Sequence, residues 1–373
     1  MSCILTWSAK FAVRGNIMAR EFTEIAGQLE TEIANGTYTD ALPSISRMSE
    51  MFSVCPATVK RILSYLRDRD LVIGEHGRCV RVNPRAAGNP YFRKNVFFLA
   101  DVNTLSTPVF SKLLKQVMQA LGAACVCTHV FISPEQARES IFRPDCIVVI
   151  NSLHMNVVFD ELLERYPDCG GIVVNMSSSH YPSVAGNSEE AGYAAIRHLA
   201  EDCGHTHIGV LTTQLNYPHA CFARRYNGAK KYASMHSNIR LSMAEVPELE
   251  YCGQGSFQQT EKLFSLDPQI TAVFTVCDML ALGVYGYAAE HKLSIPDDIA
   301  VIGFDNLDFS TALVPPLSTI AEDTLQLSDC LLGLIRSAIL EKGQPGEYLI
   351  SPRLLIRGST QKGRISISNN LPG

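Results

Sequence analysis

From Asn95 onward the chain alternates short, nearly continuous apolar runs with stretches of helical periodicity, and few folds accommodate that pattern. The runs are Val96–Leu99, Cys125–Cys127, Ile147–Ile150, Ile172–Val174, Ile208–Leu211, Ala272–Phe274 and Val301–Phe304. A strand that is apolar on both faces must be covered on both faces. Helices between the runs supply that cover, so the pattern predicts doubly wound parallel sheets of an α/β protein. Helix signals fit between the runs: Gly122 reads as a stop, and Ser133 with Gln136, then Ser256 with Gln259, read as capping boxes. The segment from 95 to 360 is long for one sheet, so two lobes are expected. Ligands of open α/β sheets bind beyond the carboxyl ends of the strands. That directs attention to Asn103, Asn175, Thr212, Cys277, Asp278 and Asp305. Asn and Asp at such places can bond to ligand hydroxyls or simply cap the next helix.

The chain before Asn95 follows a different rule. Phe22, Ile25, Leu29 and Ile33 recur in steps of three and four, which predicts an amphipathic helix that Asn35-Gly36 stops. Ser44 is placed to cap a second helix carrying Ile45, Met48, Met51 and Phe52 on one face. Pro56 fits the first turn of a third, which buries Val59, Ile62, Leu63 and Leu66 and shows Ala57, Thr58, Lys60, Arg61, Ser64 and Arg67 on its other side. Leu71–Ile73 and Val80–Val82 read as two short strands around Gly74-Glu75-His76-Gly77. Three helices and a hairpin make a winged helix-turn-helix. From Ala19 to Ser46 one basic residue faces five acidic ones, whereas from Arg47 to Arg85 eight basic residues face four acidic ones. The positive charge therefore lies on the half that would meet DNA, where phosphates supply most of the affinity. An ordinary solvated helix face is the plainer alternative.

Composition narrows the rest. With 46% hydrophobic and 18% charged residues the chain has apolar surface enough for real cores and is not a disordered one. A net charge of −5 gives no blanket field for polyanions, so nucleic-acid binding has to come from a local patch. No apolar run approaches the ~20 residues of a membrane helix, and no membrane association is expected. Twelve cysteines, many in apolar contexts and none in a CxxC pair, suit a reducing cytoplasm. Cys203, His205 and His207, with His198, His219 and Cys221 nearby, come nearest to a metal cluster, but a helix-to-strand turn explains them and no metal or cofactor is assigned. Residues 1–17 read as a disordered extension without a secretory signal, 18–83 as the small domain, 84–94 as a linker, 95–360 as the two-lobed domain and 361–373 as a tail.

Two resemblances sharpen this reading. Ile25, Leu29, Ile33, Gly36 and Tyr38, followed by Leu42-Pro43-Ser44, Ala57-Thr58-Val59-Lys60-Arg61, Leu71-Val72 and Gly77-Arg78, resemble the GntR-type winged-helix domain. The resemblance implies DNA contacts by Ser44, Arg47, Ala57, Thr58, Lys60 and Arg61, and by His76, Gly77 and Arg78 at the wing tip. Ile45-Ser46, Cys55-Pro56 and Cys79-Val80-Arg81 depart from that family's pattern, and two customary DNA-contacting arginines are missing.

The large segment is similar to the LacI/GalR regulators, whose effector domain has the shape of a periplasmic sugar-binding protein. The motifs are Ala191-Gly192-Tyr193, Gly204-His205, Arg225-x2-Gly228, Thr271–Phe274 with Asp278, Ile295–Asp305 and Pro316–Ile320. This likeness implies that Cys221, Arg225, Phe257, Cys277 and Asp305 line an effector cleft, with Arg225 as forked donor, Asp305 as acceptor and Phe257 against a sugar's apolar face, beside the strand-end candidates Asn103, Asn175 and Asp278. The combination resembles arabinose-repressor-type hybrids. It implies a cytoplasmic, homodimeric repressor that binds a palindromic DNA operator and responds to a small polar effector, a sugar by resemblance. Transport or chemotaxis solute binding is the alternative. No catalytic motif points to an enzyme.

Overall fold

The computed structural model describes residues 22–74, 80–213, 215–216, 221–247, 254–341 and 345–361. The chain divides into two compact units: the residues up to Asn95 with Leu121–Cys127, and Val96–Ala120 with the residues from Thr128 on.

In the first unit α1 spans 22–34, and the chain turns at Gly36 in a left-handed conformation (φ 81°). Helix α2 is Ile45–Phe52, capped by the Ser44 side chain, which accepts from the Arg47 N–H at 3.3 Å. Helix α3 is Pro56–Asp68, with Pro56 in its first turn. Strands β1 (Val72–Gly74) and β2 (Val80–Val82) pair antiparallel. Ile25, Leu29, Ile33, Met48, Val59, Ile62, Leu66, Val72 and Val82 form the core, so α1 and α3 bury the faces their apolar spacing predicts, whereas in α2 Met48 is buried, Ile45 and Phe52 are partly buried and Met51 is exposed. The expected linker is partly drawn into this unit: Ala86 is buried in the core, and the Gly88 N–H donates to the Ile33 carbonyl at 2.9 Å.

The second unit contains two sheets. The first has the order β13-β7-β6-β5-β3-β4, with β3 at Asn95–Leu99, β4 at Cys127–Phe131, β5 at Cys146–Ile150, β6 at Gly170–Val174, β7 at Ser183–Gly186 and β13 at Glu347–Ile350. Pairing from β13 through β3 is parallel. Helices α4 (Val102–Ser106), α5 (Pro108–Ala123), α6 (Pro134–Arg138), α7 (Leu153–Arg165) and α12 (Thr324–Glu341) complete this lobe. The second sheet has the order β14-β12-β11-β10-β8-β9 and is parallel except for β14, which runs against β12. Its strands are β8 (His207–Thr213), β9 (Arg240–Val246), β10 (Ala272–Thr275), β11 (Ala300–Phe304), β12 (Ser318–Ala321) and β14 (Arg353–Leu355). Helices α8 (Ser188–Arg197), α9 (Cys221–Met235), α10 (Gln254–Leu266) and α11 (Asp278–Glu290) belong to it. The chain passes between the lobes three times: after β7, between β12 and α12, and between β13 and β14.

Two local expectations are corrected. The run Cys125–Cys127 starts too early, because Cys125 is left-handed (φ 61°) and still in the turn after α5, so β4 begins at Cys127. Ser256 does not cap a helix; α10 already runs from Gln254, and Ser256 is buried within it. The Ser133 box does form, with Ser133 accepting from the Gln136 N–H and Gln136 from that of Ile132. Residues 198–207 form a π turn, His198–Asp202, and a left-handed Gly204. There His198 bonds Asp202 and Thr360, and His205 bonds Thr271. Among the described residues no His, Cys, Asp or Glu grouping could hold a metal, and no helix is long and apolar enough to cross a membrane.

Candidate effector site

The site is built from the carboxyl ends of the second sheet. Glycines first set the position of α9. A β-carbon on Gly192 of α8 would overlap the Arg225 carbonyl, and one on Gly228 would overlap that of Glu189. The two helices therefore meet backbone to backbone, which leaves Arg225 2% exposed at the sheet's edge. Its guanidinium carbon lies 3.3 Å from the Phe304 ring centroid, a stacking that suits a weakly hydrated planar cation. Arg225 Nη1 donates to the Val276 carbonyl at 2.7 Å and reaches Asp305 Oδ1 at 3.5 Å. Nη2 donates to Glu322 Oε1 at 3.4 Å. Arg225 Nε is buried without a hydrogen-bond partner among the described residues.

Asp305 follows β11 with φ 106° and Asn306 follows with φ 53°, a strained stretch for side chains other than glycine. Asp305 is one-fifth exposed at its side chain, and Glu322 is one-twentieth exposed. Burial raises both carboxyls above their ordinary range, and the Arg225 charge opposes that rise. Cys221, the first residue of α9, and Cys277, ahead of α11, are buried beside Arg225 and Asp305. Burial pushes both thiols up, so they stay neutral and add no charge. Thr212 Oγ1 is buried at the end of β8 with no partner among the described residues.

The first lobe presents polar groups at the same ends of its strands. Asp101 Oδ1 accepts from the Thr104 N–H and Oδ2 from Ser152 Oγ, each at 2.7 Å. Asn175 (φ 61°) and Asn151 (φ 40°) are left-handed. Asn175 Nδ2 donates to Asn151 Oδ1 at 3.5 Å, while its own Oδ1 is buried without a partner among the described residues. Asn103 lies in α4.

The structure thus brings Cys221, Arg225, Cys277 and Asp305 together and puts Asn175 at a strand end of the other lobe. Two expected residues stand elsewhere. Asp278 is fully buried, and its carboxylate is occupied: Oδ1 accepts from Thr319 Oγ1 at 2.7 Å and Oδ2 from the Leu307 N–H at 2.8 Å. Its role is to tie β12 to the loop after β11. Phe257, the fourth residue of α10, packs toward α11, against Gly286 and Tyr287. Glu322 was missed. It follows Ser318–Ala321, a strand too polar to register as an apolar run, although an acid beyond such a segment was the available signal.

In the small unit Ala57, Lys60 and Arg61 are exposed on α3, and Arg47 is exposed beside Glu50 at 3.3 Å. Arg61 also rests over the Phe22 ring. Thr58 is corrected: it is 7% exposed and its hydroxyl lies 3.3 Å from Cys55 Sγ, so it faces inward. His76, Gly77 and Arg78 lie outside the described residues.

Comparison with known proteins agrees with this architecture. Residues 196–360 match the periplasmic binding protein-like domain family. The HTH-type transcriptional repressor PurR of Histophilus somni (strain 2336) is 28% identical over 275 residues, covering 70% of this chain and 80% of that protein. A LacI family transcriptional regulator from Enterococcus faecium with bound ribose superposes with a TM-score of 0.58 at 26% identity, over 73% of this chain and 100% of that one. The lac repressor dimer bound to operator and the anti-inducer ONPF shares the fold, with a TM-score of 0.61 at 18% identity over 72% of this chain and 94% of that one.

Proposed function

We propose that this chain, a ligand-responsive transcriptional regulator of LacI/GalR type, reads DNA through a GntR-type winged helix and releases it when a small polyhydroxylated effector binds at Arg225 and Asp305. The observation that carries the effector half is the Arg225 guanidinium, buried yet with an Nε that has no partner among the described residues, in contact with two carboxylates beside the inter-lobe crossings. The ribose held by the Enterococcus faecium relative supports a sugar-like effector. What supports the reader is the order of three helices and an antiparallel ribbon, with Ala57, Lys60 and Arg61 exposed on the third helix and Arg47 on the second.

In this reading the protein is a cytoplasmic homodimer. A two-fold assembly binds a palindromic operator with half-sites one or two helical turns apart. Glu322 sits in the β12–α12 crossing, against Gly186 at the end of β7. A ligand that draws on Arg225 therefore acts next to two inter-lobe passages and can favour one lobe arrangement through differential affinity. Mobility shifts on a selected operator, with and without a sugar panel, test the proposal. The full-length protein should lose operator affinity with at least one sugar, whereas Arg225→Ala should bind DNA and ignore that sugar. DNA binding indifferent to every ligand, in both proteins, would remove the sensor.

A further inference from the structure

Glu322 upsets the charge balance of the site. One guanidinium, Arg225, contacts both Asp305 and Glu322. The other cation nearby, Arg357, is engaged with Asn306 Oδ1, the Leu317 carbonyl and Ser310 Oγ, and its charge acts on Asp278. Among the described residues two cations thus stand against Asp278, Asp305 and Glu322, an excess of one acid. The thiols of Cys221 and Cys277 contribute no compensating charge. Among the described residues Arg225 Nε and Asn175 Oδ1 are buried without partners, one a donor and one an acceptor for a ligand that is not purely anionic.

A buried carboxylate without a full counter-charge holds a proton, which burial favours at all three of these acids, or exchanges it for a cation. A phosphate or carboxylate on the ligand would add to the excess and be repelled at short range. An ammonium group supplies the missing charge and three donors. We infer that the effector is a polyhydroxylated molecule bearing a protonated amine, and that Glu322 selects it over neutral and anionic molecules of the same scaffold. This rests on the effector site proposed above.

The test is calorimetric titration of the full-length protein with matched sets: glucosamine, glucose and glucuronate, then the galactose and mannose counterparts. At least one amine should bind about tenfold or more tighter than its uronate partner. Glu322→Gln, nearly identical in shape, should narrow that ratio to about threefold or less. Glu322→Asp should keep the preference, and circular dichroism should show all three proteins folded. A uronate that binds best, an unchanged ratio in Glu322→Gln, or no measurable amine binding in any set would overturn the inference. The regulatory reading fails separately: an amine that binds with the predicted preference yet never releases operator leaves the charge selection standing and removes the switch.

Discussion

Asp278 and Asp305 both follow apolar strands, and their surroundings give them opposite work. Asp278 is sealed by Thr319 and the Leu307 N–H, and Gly303 leaves room for its carboxylate where a β-carbon would collide. Its removal from water pushes its carboxyl up to about 6. A folded-state value above the unfolded one means that the associated stability is full below the unfolded value of 3.8 and is lost as pH rises through about 6. The stability difference between the native protein and Asp278→Asn should therefore shrink by about 2 kcal/mol between pH 4.5 and 7.5, in the direction that disfavours the native protein at the higher pH. Urea unfolding at both pH values measures it, and a difference independent of pH would contradict this assignment. Asp305, by contrast, keeps a partly exposed carboxylate whose protein partner is Arg225 at the loose distance of 3.5 Å. One aspartate holds the scaffold, and the other keeps the exposed edge that the proposed effector would use.

At the scale of elements, the site depends on how closely α8 and α9 approach. Gly192→Ala or Gly228→Ala would force these helices apart, since the obstructing atoms are backbone carbonyls that cannot rotate aside. Either change should cost more than about 3 kcal/mol, at or above the usual range for overpacking, and should weaken effector binding by displacing Arg225. Gly27→Ala is the matched control. Its β-carbon would meet nothing within 4 Å in exposed α1, and the substitution should stabilise by about 0.5–1 kcal/mol through helix propensity and lost unfolded-state freedom. Thermal unfolding of the three variants decides the point. The third helix of the small unit shows the same economy of faces: Val59, Ile62, Leu63 and Leu66 are buried, and Ala57, Lys60 and Arg61 are exposed.

At the scale of the whole molecule, the two units answer to different physics. The small unit concentrates basic residues from Arg47 to Arg85 within a chain of net charge −5, so its DNA affinity should be strongly salt-dependent. Lys60→Ala should weaken binding to all sequences and reduce the slope of log K against log salt by about 0.9, as expected for one lost phosphate contact. Fluorescence anisotropy over a salt series tests this, and an unchanged slope would remove Lys60 from the interface. The large unit is governed by its three inter-lobe passages. At one of them Arg225 and Glu322 join a strand-end cluster to the β12–α12 crossing. Arg224 of α9 also pairs with Glu347 of β13 at 3.1 Å, so α9 is tied to both sheets.

The apolar runs and the three-and-four spacing by themselves determined the helices of the small unit, the central strands β3, β5, β6, β8, β10 and β11, and the two-lobed α/β class. Each of these depends on local periodicity or on burial of both strand faces, and both are written in residue order. Strands β7, β9, β12, β13 and β14, at or next to the sheet edges, escaped because they are short, polar or alternating, and their pairing comes from distant segments such as Ser183–Gly186 with Glu347–Ile350. Arg225 and Asp305 were legible as candidates, but only the tertiary structure decided that Asp278 turns inward, that Phe257 packs between helices and that Glu322 joins the site. Those outcomes depend on which amide, ring or guanidinium arrives from 29 to 97 residues away, and residue order does not encode that distance.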